Sequence, residues 1–261
     1  MSIRTTAIVN LKGGVAKTTT TVNLAAILAR DHNARVLVID ADSQCNTTEF
    51  YGAGNDGATL AHILRDAPCY ESPEASAVLA IQATKQRNVD LIPADDTLMD
   101  LDLTSVYQGT VSANVLRYLV EAVGELYDYV LIDCPPAFNA ASAAALVAAD
   151  DVLIPIKLDA FSLRGMANLM RQIKNMRKIN PRLKLAGILP TMWYNSPKIV
   201  DAENQLQNAG LHLYPHIRRS DKVDDMTFEQ EPLLVCSPNS AAGVDYRKFA
   251  REYAGGAGNG I

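Results

Sequence analysis

Hydrophobic residues are arranged along the chain in two alternating patterns. Continuous apolar runs occupy segments 5–10, 35–40 and 129–133, which is typical of strands buried on both faces of a parallel sheet. Between the runs, apolar residues recur at helical spacing, most clearly over 162–178. The alternation predicts an α/β fold, a mostly parallel twisted sheet flanked by helices on both faces with right-handed crossovers.

Weaker patterns complete this prediction. Segments 46–57 and 192–197 read as loops, residues 67–86 have no clear pattern, and residues 1–254 form a single domain followed by a disordered glycine-rich tail, 255–261. Further strands are predicted at 88–93, 151–156, 184–190 and 212–217, and helices at 18–30, 58–65, 97–103, 111–126, 139–149, 196–208 and 243–253.

Composition fits this fold and excludes several other classes. The chain has 261 residues, 48% of them hydrophobic and 20% charged, which suits a large domain with a substantial core. No apolar run reaches the roughly 18 residues of a membrane-spanning helix, and the polar start does not resemble a signal peptide. The four cysteines are far apart in sequence, so we expect reduced thiols and a cytoplasmic location.

The charge of the chain is unevenly distributed. The net charge of −5 on its own argues against nucleic-acid binding, but residues 160–200 contain eight basic and no acidic residues. A chain polarised in this way can carry a basic face despite its acidic total. The basic residues of the segment are Arg164, Arg171, Lys174, Arg177, Lys178, Arg182, Lys184 and Lys198.

A glycine-rich segment between the first strand and the first helix predicts a phosphate site. Backbone N–H groups of such a turn, together with the helix dipole, attract an anion. Lys17 would contact the terminal phosphates, and the Thr18 hydroxyl would bind Mg²⁺. Ala16 stands where the usual P-loop has glycine before the lysine, so its Cβ could crowd the β-phosphate. The predicted nucleotide-binding residues are Gly13, Gly14, Val15, Ala16, Lys17, Thr18 and Thr19.

Three aspartates follow apolar runs, at the strand ends where open α/β sheets bind ligands. Asp133 ends the run 129–133 and occupies the position of an acid that holds Mg²⁺ through water. Asp40 and Asp42 end the run that follows the P-loop helix. An Asp-rich turn would give the same pattern, but the preceding P-loop favours a functional role.

The segment from Lys12 to Thr19, with a lysine at each end of the loop, resembles the deviant Walker A motif of the ParA/MinD family of ATPases. The Asp40-Ala-Asp42 and Asp133-Cys-Pro-Pro segments are similar to that family as well. The resemblance implies that Lys12 reaches the nucleotide of a partner subunit, that Asp42 orients the attacking water, and that Asp40 lies near the metal. It identifies ATP and Mg²⁺ as cofactors.

The same resemblance implies a biological role. A ParA-type protein is an ATP hydrolase with weak basal activity that alternates between a monomer and an ATP-bound sandwich dimer. The dimer binds non-specific DNA in the partitioning of a plasmid, a chromosome or a mobile element, at the nucleoid, and a ParB-like protein stimulates hydrolysis. The candidate DNA-binding residues are Arg171, Lys174, Arg177, Lys178, Lys198, Arg219 and Lys222.

Two other classes of function compete with partitioning. A MinD-like ATPase working on a membrane or protein cargo would need a C-terminal amphipathic helix, which the glycine-rich tail does not supply. The other class is a metabolic or electron-transfer relative, such as an iron protein or a P-loop ligase. An iron protein that holds a cluster across a dimer would need cysteines at the dimer face. Cys45 and Cys134 lie near the nucleotide motifs, but they form no recognisable cluster pattern.

Overall fold

The computed structural model describes residues 3–54, 57–66, 78–108 and 111–256. Residues 67–77, within the segment that had no clear pattern, and 257–261, most of the predicted tail, lie outside the described residues. Among the cysteines that are described, Cys45, Cys134 and Cys236 are free thiols. None of the helices in the described part of the chain has the length and hydrophobicity needed to cross a bilayer.

A seven-stranded sheet forms the centre of the molecule, with the strand order β3-β4-β2-β5-β1-β6-β7. Every pairing is parallel except that of β3 with β4, which confirms the predicted fold class. The strands are β1 (Arg4–Ile8), β2 (Val36–Asp40), β3 (Gln82–Ala83), β4 (Val89–Ile92), β5 (Tyr129–Asp133), β6 (Asp151–Lys157) and β7 (Lys184–Thr191).

Helices cover both faces of this sheet and enclose two separate cores. Alternate strand residues enter different cores: Ala7 packs into one and Ile8 into the other, because successive side chains of a strand point to opposite faces. The helices are α1 (Lys17–Asp31), α2 (Asn46–Phe50), α3 (Leu60–Asp66), α4 (Leu103–Tyr107), α5 (Val115–Ala122), α6 (Ala140–Ala148), α7 (Ala160–Met176), α8 (Pro197–Asn208), α9 (Lys222–Glu229), α10 (Leu233–Cys236) and α11 (Ala241–Gly255).

Several local predictions were wrong. Helix α2 occupies the start of the predicted loop 46–57, and the helix predicted over 111–126 is regular only from Val115 to Ala122. Instead of a helix over 97–103, a 3-10 turn at Asp96–Asp100 precedes α4. Within the predicted strand 212–217, only Leu213 forms an isolated bridge, and a second bridge follows at Arg218. Apart from 111–126, these segments are polar or short, so tertiary contacts rather than periodicity determine their conformation.

The last helix, α11, is fixed to the sheet by a buried polar network. Arg4 donates to Asp151 (2.8 Å) and to the backbone oxygen of Tyr253 (2.7 Å), while the Thr6 hydroxyl lies 2.6 Å from the Tyr253 hydroxyl. Tyr246, with Tyr253, is fully buried in one of the two cores. The apolar face of this helix is therefore part of the folded core.

The strand order brings the three functional strand ends together. Strand β5 lies between β1 and β2, and Asp133 is in register with both Ile8 and Asp40. The loop that follows β1 leads directly into α1. The glycine-rich turn and both strand-terminal aspartates therefore share the carboxyl edge of the sheet.

Candidate nucleotide-binding site

The glycine-rich loop makes a turn that is open on its inner side. Gly14 and Ala16 both have a φ of 67°, a left-handed conformation that favours glycine, and α1 begins at the next residue, Lys17. A Cβ built at Gly13 or Gly14 would meet no protein atom within 4 Å. The space next to this backbone, at a helix N-terminus, suits phosphate oxygens.

Neighbouring strands hold this loop in place. The Asn10 side chain donates to the backbone oxygen of Pro155 (2.8 Å) and accepts from the backbone N–H of Lys12 (3.0 Å). The Thr191 hydroxyl donates to the backbone oxygen of Val15 (3.1 Å). Asn10 and Thr191 were not predicted as site residues, because each lies in a strand or at its end without a recognisable motif.

Lys17, the first residue of α1, is buried next to the backbone of the glycine-rich loop. Its Nζ is 3.4 Å from the backbone oxygen of Lys12. Burial lowers the pKa of Lys17, although Asp133 and Asp42 oppose the decrease. A buried ammonium next to an open backbone turn is suited to pairing with an anionic ligand.

Asp133 is buried at the end of β5, and only one of its two carboxylate oxygens accepts hydrogen bonds. Oδ2 accepts hydrogen bonds from the hydroxyls of Thr18 and Thr47, both at 2.7 Å, whereas Oδ1 has no hydrogen-bond partner. Burial raises the pKa of Asp133, against the effect of these two hydrogen bonds. A buried oxygen without a partner next to a threonine hydroxyl fits a magnesium site, in which water or the ion would satisfy that oxygen.

The remaining ligands of such an ion would come from outside the protein. In the described residues, no group of three or more His, Cys, Asp or Glu side chains could hold a metal ion. Mg²⁺ at nucleotide sites keeps several waters and binds phosphate oxygens with only one or two protein ligands. Thr18 and Asp133 are sufficient protein ligands for this arrangement.

Asp40 is fully buried, and its own loop satisfies its oxygens. Oδ1 accepts from the Asp42 N–H (3.1 Å), and Oδ2 accepts from both the N–H (2.9 Å) and the hydroxyl (2.7 Å) of Thr48. Burial and the neighbouring Asp133 raise the pKa of Asp40. These contacts shape the loop of Asp42, and a direct metal contact of Asp40 stays a prediction.

Asp42 lies at the start of that loop, and only 8% of its surface is exposed. Its Oδ1 accepts from the backbone N–H of Gln44 (3.1 Å). The loop continues into α2, since the Cys45 N–H donates to the Asp42 backbone oxygen (2.9 Å). The backbone of the predicted water-orienting residue is thus hydrogen-bonded to the residue that precedes the helix carrying Thr47.

The Lys12 side chain pairs with residues at the start of α7. Its Nζ contacts both oxygens of Asp159, at 2.9 and 2.7 Å, and the Ser162 hydroxyl at 3.1 Å. Partial burial opposes the ionisation of Asp159, but the hydrogen bonds from Lys12 and Ser162 lower its pKa to about 2. The side chain of Lys12 is 38% exposed, so it lies at the molecular surface.

A cavity of about 600 Å³ adjoins the loop on the side of Ala16 and Thr19. Tyr194, Arg219 and Tyr246 contribute to its other walls. Its position next to the phosphate turn suits the base and ribose of a nucleotide. Sequence patterns did not reveal it, because its walls come from five separate parts of the chain.

The candidate DNA-binding residues fall into two groups. Arg177 donates to the backbone oxygen of Leu183 (2.9 Å), and Lys222 pairs with Asp225 (2.6 Å). In the described part of the chain, the other five form no ion pair with a carboxylate within 4 Å; all are exposed, and they are Arg171, Lys174, Lys178, Lys198 and Arg219.

The fold and this turn define the chain as a protein of the P-loop nucleotide-binding class. Comparison with known proteins specifies the class further. The family model described as an AAA domain matches residues 3–185. The chromosome partitioning protein ParA of Caulobacter vibrioides is 36% identical over 258 residues, which cover 96% of this chain and 93% of that protein. The chain therefore belongs to the ParA/MinD family of ATPases.

Solved structures agree with this assignment. A complex of ATP with a McdA variant from Cyanothece has a TM-score of 0.82 and 25% identity, covering 97% of this chain and 96% of the other. Cobyrinic acid a,c-diamide synthase from Mycobacterium smegmatis, with bound ADP and magnesium, has a TM-score of 0.81 and 26% identity over 98% and 97% of the two chains. Because the same fold also serves a synthase, function has to be argued from the site residues of this chain.

Proposed function

We propose that the chain is a magnesium-dependent ATP hydrolase that alternates between a monomer and an ATP-bound sandwich dimer. The observation that carries this proposal is the partly exposed position of Lys12, whose ammonium is paired with Asp159. Lys17 already supplies a buried ammonium to the predicted phosphate site. A second lysine at the surface is suited to the phosphates of a nucleotide bound by another subunit.

Each site residue has a defined part in this proposal. The backbone from Gly13 to Thr19 binds the phosphates, and Lys17 compensates their charge. Thr18 and Asp133 would hold a Mg²⁺ ion, which would supply charge neutralisation at the phosphate oxygens. Asp42 orients the attacking water. Hydrolysis then depends on positioning and charge neutralisation rather than on a covalent intermediate.

We further propose that the ATP-bound dimer binds DNA without sequence preference in DNA partitioning, and that a ParB-like activator releases it. The likeness to the Caulobacter ParA supports this role. So do the exposed, acid-free surface of α7, which carries Arg171 and Lys174, and the turn that follows it, which carries Lys178. Clustered cations that lack carboxylate partners are what phosphate binding requires.

Binding to a random-sequence DNA duplex tests this proposal. Binding that needs ATP, weakens with salt and ignores sequence would support it, whereas ADP or no nucleotide should give little binding. Lys12→Ala should still bind nucleotide but lose dimerisation, stimulated hydrolysis and DNA binding together. Full hydrolysis by Lys12→Ala would contradict the shared site. ATP hydrolysis without any DNA binding would instead direct attention to a protein or membrane cargo.

A further inference from the structure

Two consecutive threonines on α2 attach this helix to the ends of three neighbouring strands. The Thr47 hydroxyl donates to Asp133 at the end of β5 (2.7 Å). The Thr48 hydroxyl donates to Asp40 at the end of β2 (2.7 Å) and accepts from the N–H of Ala94, just after β4 (2.9 Å). Both threonines are buried, with exposures of 0% and 1%. Helix α2 is therefore fixed by polar contacts to the edge of the sheet that carries the nucleotide site.

Both carboxylates are predicted to lie at the metal, but only Asp133, the partner of Thr47, has an oxygen without a hydrogen-bond partner. Asp133 Oδ2 is shared by the hydroxyls of Thr18 and Thr47. The Thr18 hydroxyl is itself a predicted ligand of Mg²⁺. Thr47 is not, so its hydroxyl can stay hydrogen-bonded to Asp133 when the ion is bound. Its hydrogen bond to Oδ2 fixes the carboxylate plane and leaves Oδ1 without a protein partner.

We propose that Thr47 is a positioning residue that orients Asp133 for Mg²⁺ and transmits occupancy of the metal site to the Asp42 loop. The transmission is short, because α2 begins one residue after Cys45, whose N–H donates to the Asp42 backbone oxygen (2.9 Å). A carboxylate that shifts toward the ion pulls on Thr47 and, through this helix, on the loop of Asp42. This inference rests on the proposed magnesium-dependent nucleotide site.

Replacing Thr47 tests the orienting role. Thr47→Val keeps the shape of the side chain but removes its hydroxyl, which frees Asp133 to rotate. Loss of a group that orients a metal ligand typically costs 10–100-fold in metal affinity. We therefore expect at least about a tenfold increase in the Mg²⁺ concentration that gives half-maximal binding of a fluorescent ATP analogue. In EDTA, where no ion is present, the analogue should bind both proteins alike.

Two variants control for other effects of this substitution. Thr47→Ser keeps the hydroxyl and should retain the Mg²⁺ dependence of the wild type. Thr5→Val removes a hydroxyl that is equally buried but has no hydrogen-bond partner, and it should leave that dependence unchanged. If Thr47→Val matches Thr5→Val, the inference is overturned. If the wild type itself shows no magnesium-dependent binding, the proposed function fails instead.

Hydrogen exchange of the unmodified protein tests the transmission independently of any mutation. The amides of residues 45–51 should exchange more slowly with ATP and Mg²⁺ than with ATP in EDTA, because the ion immobilises Asp133 and hence α2. Exchange that is identical in the two conditions would overturn the transmission. Slower exchange confined to residues 45–51 and the P-loop would support it.

Discussion

Lys12 and Asp159 form a two-point salt bridge, although 146 residues separate them in the sequence. The pair joins the glycine-rich loop to the N-terminus of α7, where Asp159 also accepts hydrogen bonds from two backbone N–H groups of the first turn. In this arrangement the chain itself holds the ammonium that the proposed dimer requires. If Lys12 moves to the nucleotide of another subunit, this salt bridge must break. The salt bridge therefore stabilises the monomer relative to the proposed dimer.

Releasing Lys12 from Asp159 should favour the dimer. Asn still caps a helix, so Asp159→Asn removes the charge without removing the start of α7. A partly exposed salt bridge contributes up to about 1 kcal/mol, and the dimer would break one in each subunit, so its dissociation constant with a non-hydrolysable ATP analogue should fall by up to about 30-fold. Analytical ultracentrifugation measures this constant. Asp201→Asn, at an exposed position on α8, controls for the change in net charge; an equal effect there would refute the explanation.

The same pair predicts a pH dependence of stability. The pKa of Asp159 is about 2, below the value of about 3.9 for an unfolded chain. Its ionised form thus stabilises the folded state fully above about pH 4, and this contribution is lost as the pH falls through the folded pKa. Urea unfolding should show a constant difference between wild type and Asp159→Asn above about pH 4. That difference should shrink toward pH 2, and a difference that persists there would contradict the prediction.

Two non-glycine residues near the predicted phosphate and metal site, Ala16 and Cys45, have a left-handed backbone conformation. Replacing either residue with glycine should remove the associated strain. Ala16 has φ 67° and Cys45 has φ 55°, a conformation that costs roughly 1–2 kcal/mol for residues with a Cβ. Glycine removes this cost but gains about 0.4–1 kcal/mol of unfolded-chain entropy. Ala16→Gly and Cys45→Gly should each raise the free energy of unfolding by up to about 1 kcal/mol in urea titrations.

A matched substitution separates this effect from a general effect of glycine. Ala167 lies at an exposed position inside α7, where Ala167→Gly should destabilise by about 0.5–1 kcal/mol. Ala16→Gly should also bind nucleotide at least as tightly as the wild type, since it removes a Cβ from the phosphate turn. Destabilisation of all three variants would show that the left-handed backbone is not a source of strain.

Local patterns in the sequence were sufficient for six of the seven strands, the P-loop and the strand-end aspartates, because each is encoded within about ten consecutive residues. The two-residue edge strand β3 was not predicted, since its segment has no clear pattern. Helix α2 was missed because its five residues have no apolar periodicity, and contacts of Thr47 and Thr48 with distant strand ends support it. The Lys12–Asp159 pair and the cavity beside Ala16 were missed for a related reason. Both join parts of the chain that only the folded topology brings together.

Arg218 and Arg219 are adjacent in sequence, but the structure gives them different partners. Arg218 donates to both oxygens of the buried Asp245, at 2.7 and 2.9 Å. Arg219 is exposed and forms no ion pair with a carboxylate in the described part of the chain. The proposed DNA-binding role therefore falls on Arg219, while Arg218 connects its loop to α11.

Replacing each arginine with alanine should separate these roles. Arg219→Ala should weaken DNA binding and lower the slope of log affinity against log salt by about 1, the value for one lost phosphate contact, with no change in urea stability. Arg218→Ala should instead lower the free energy of unfolding by about 2 kcal/mol, because it leaves a buried carboxylate without its charged donor. DNA titrations at several salt concentrations and urea unfolding of both variants measure the two effects. If Arg219→Ala retains the wild-type salt slope, the phosphate contact lies elsewhere on the basic surface, and α7 becomes the segment to mutate next.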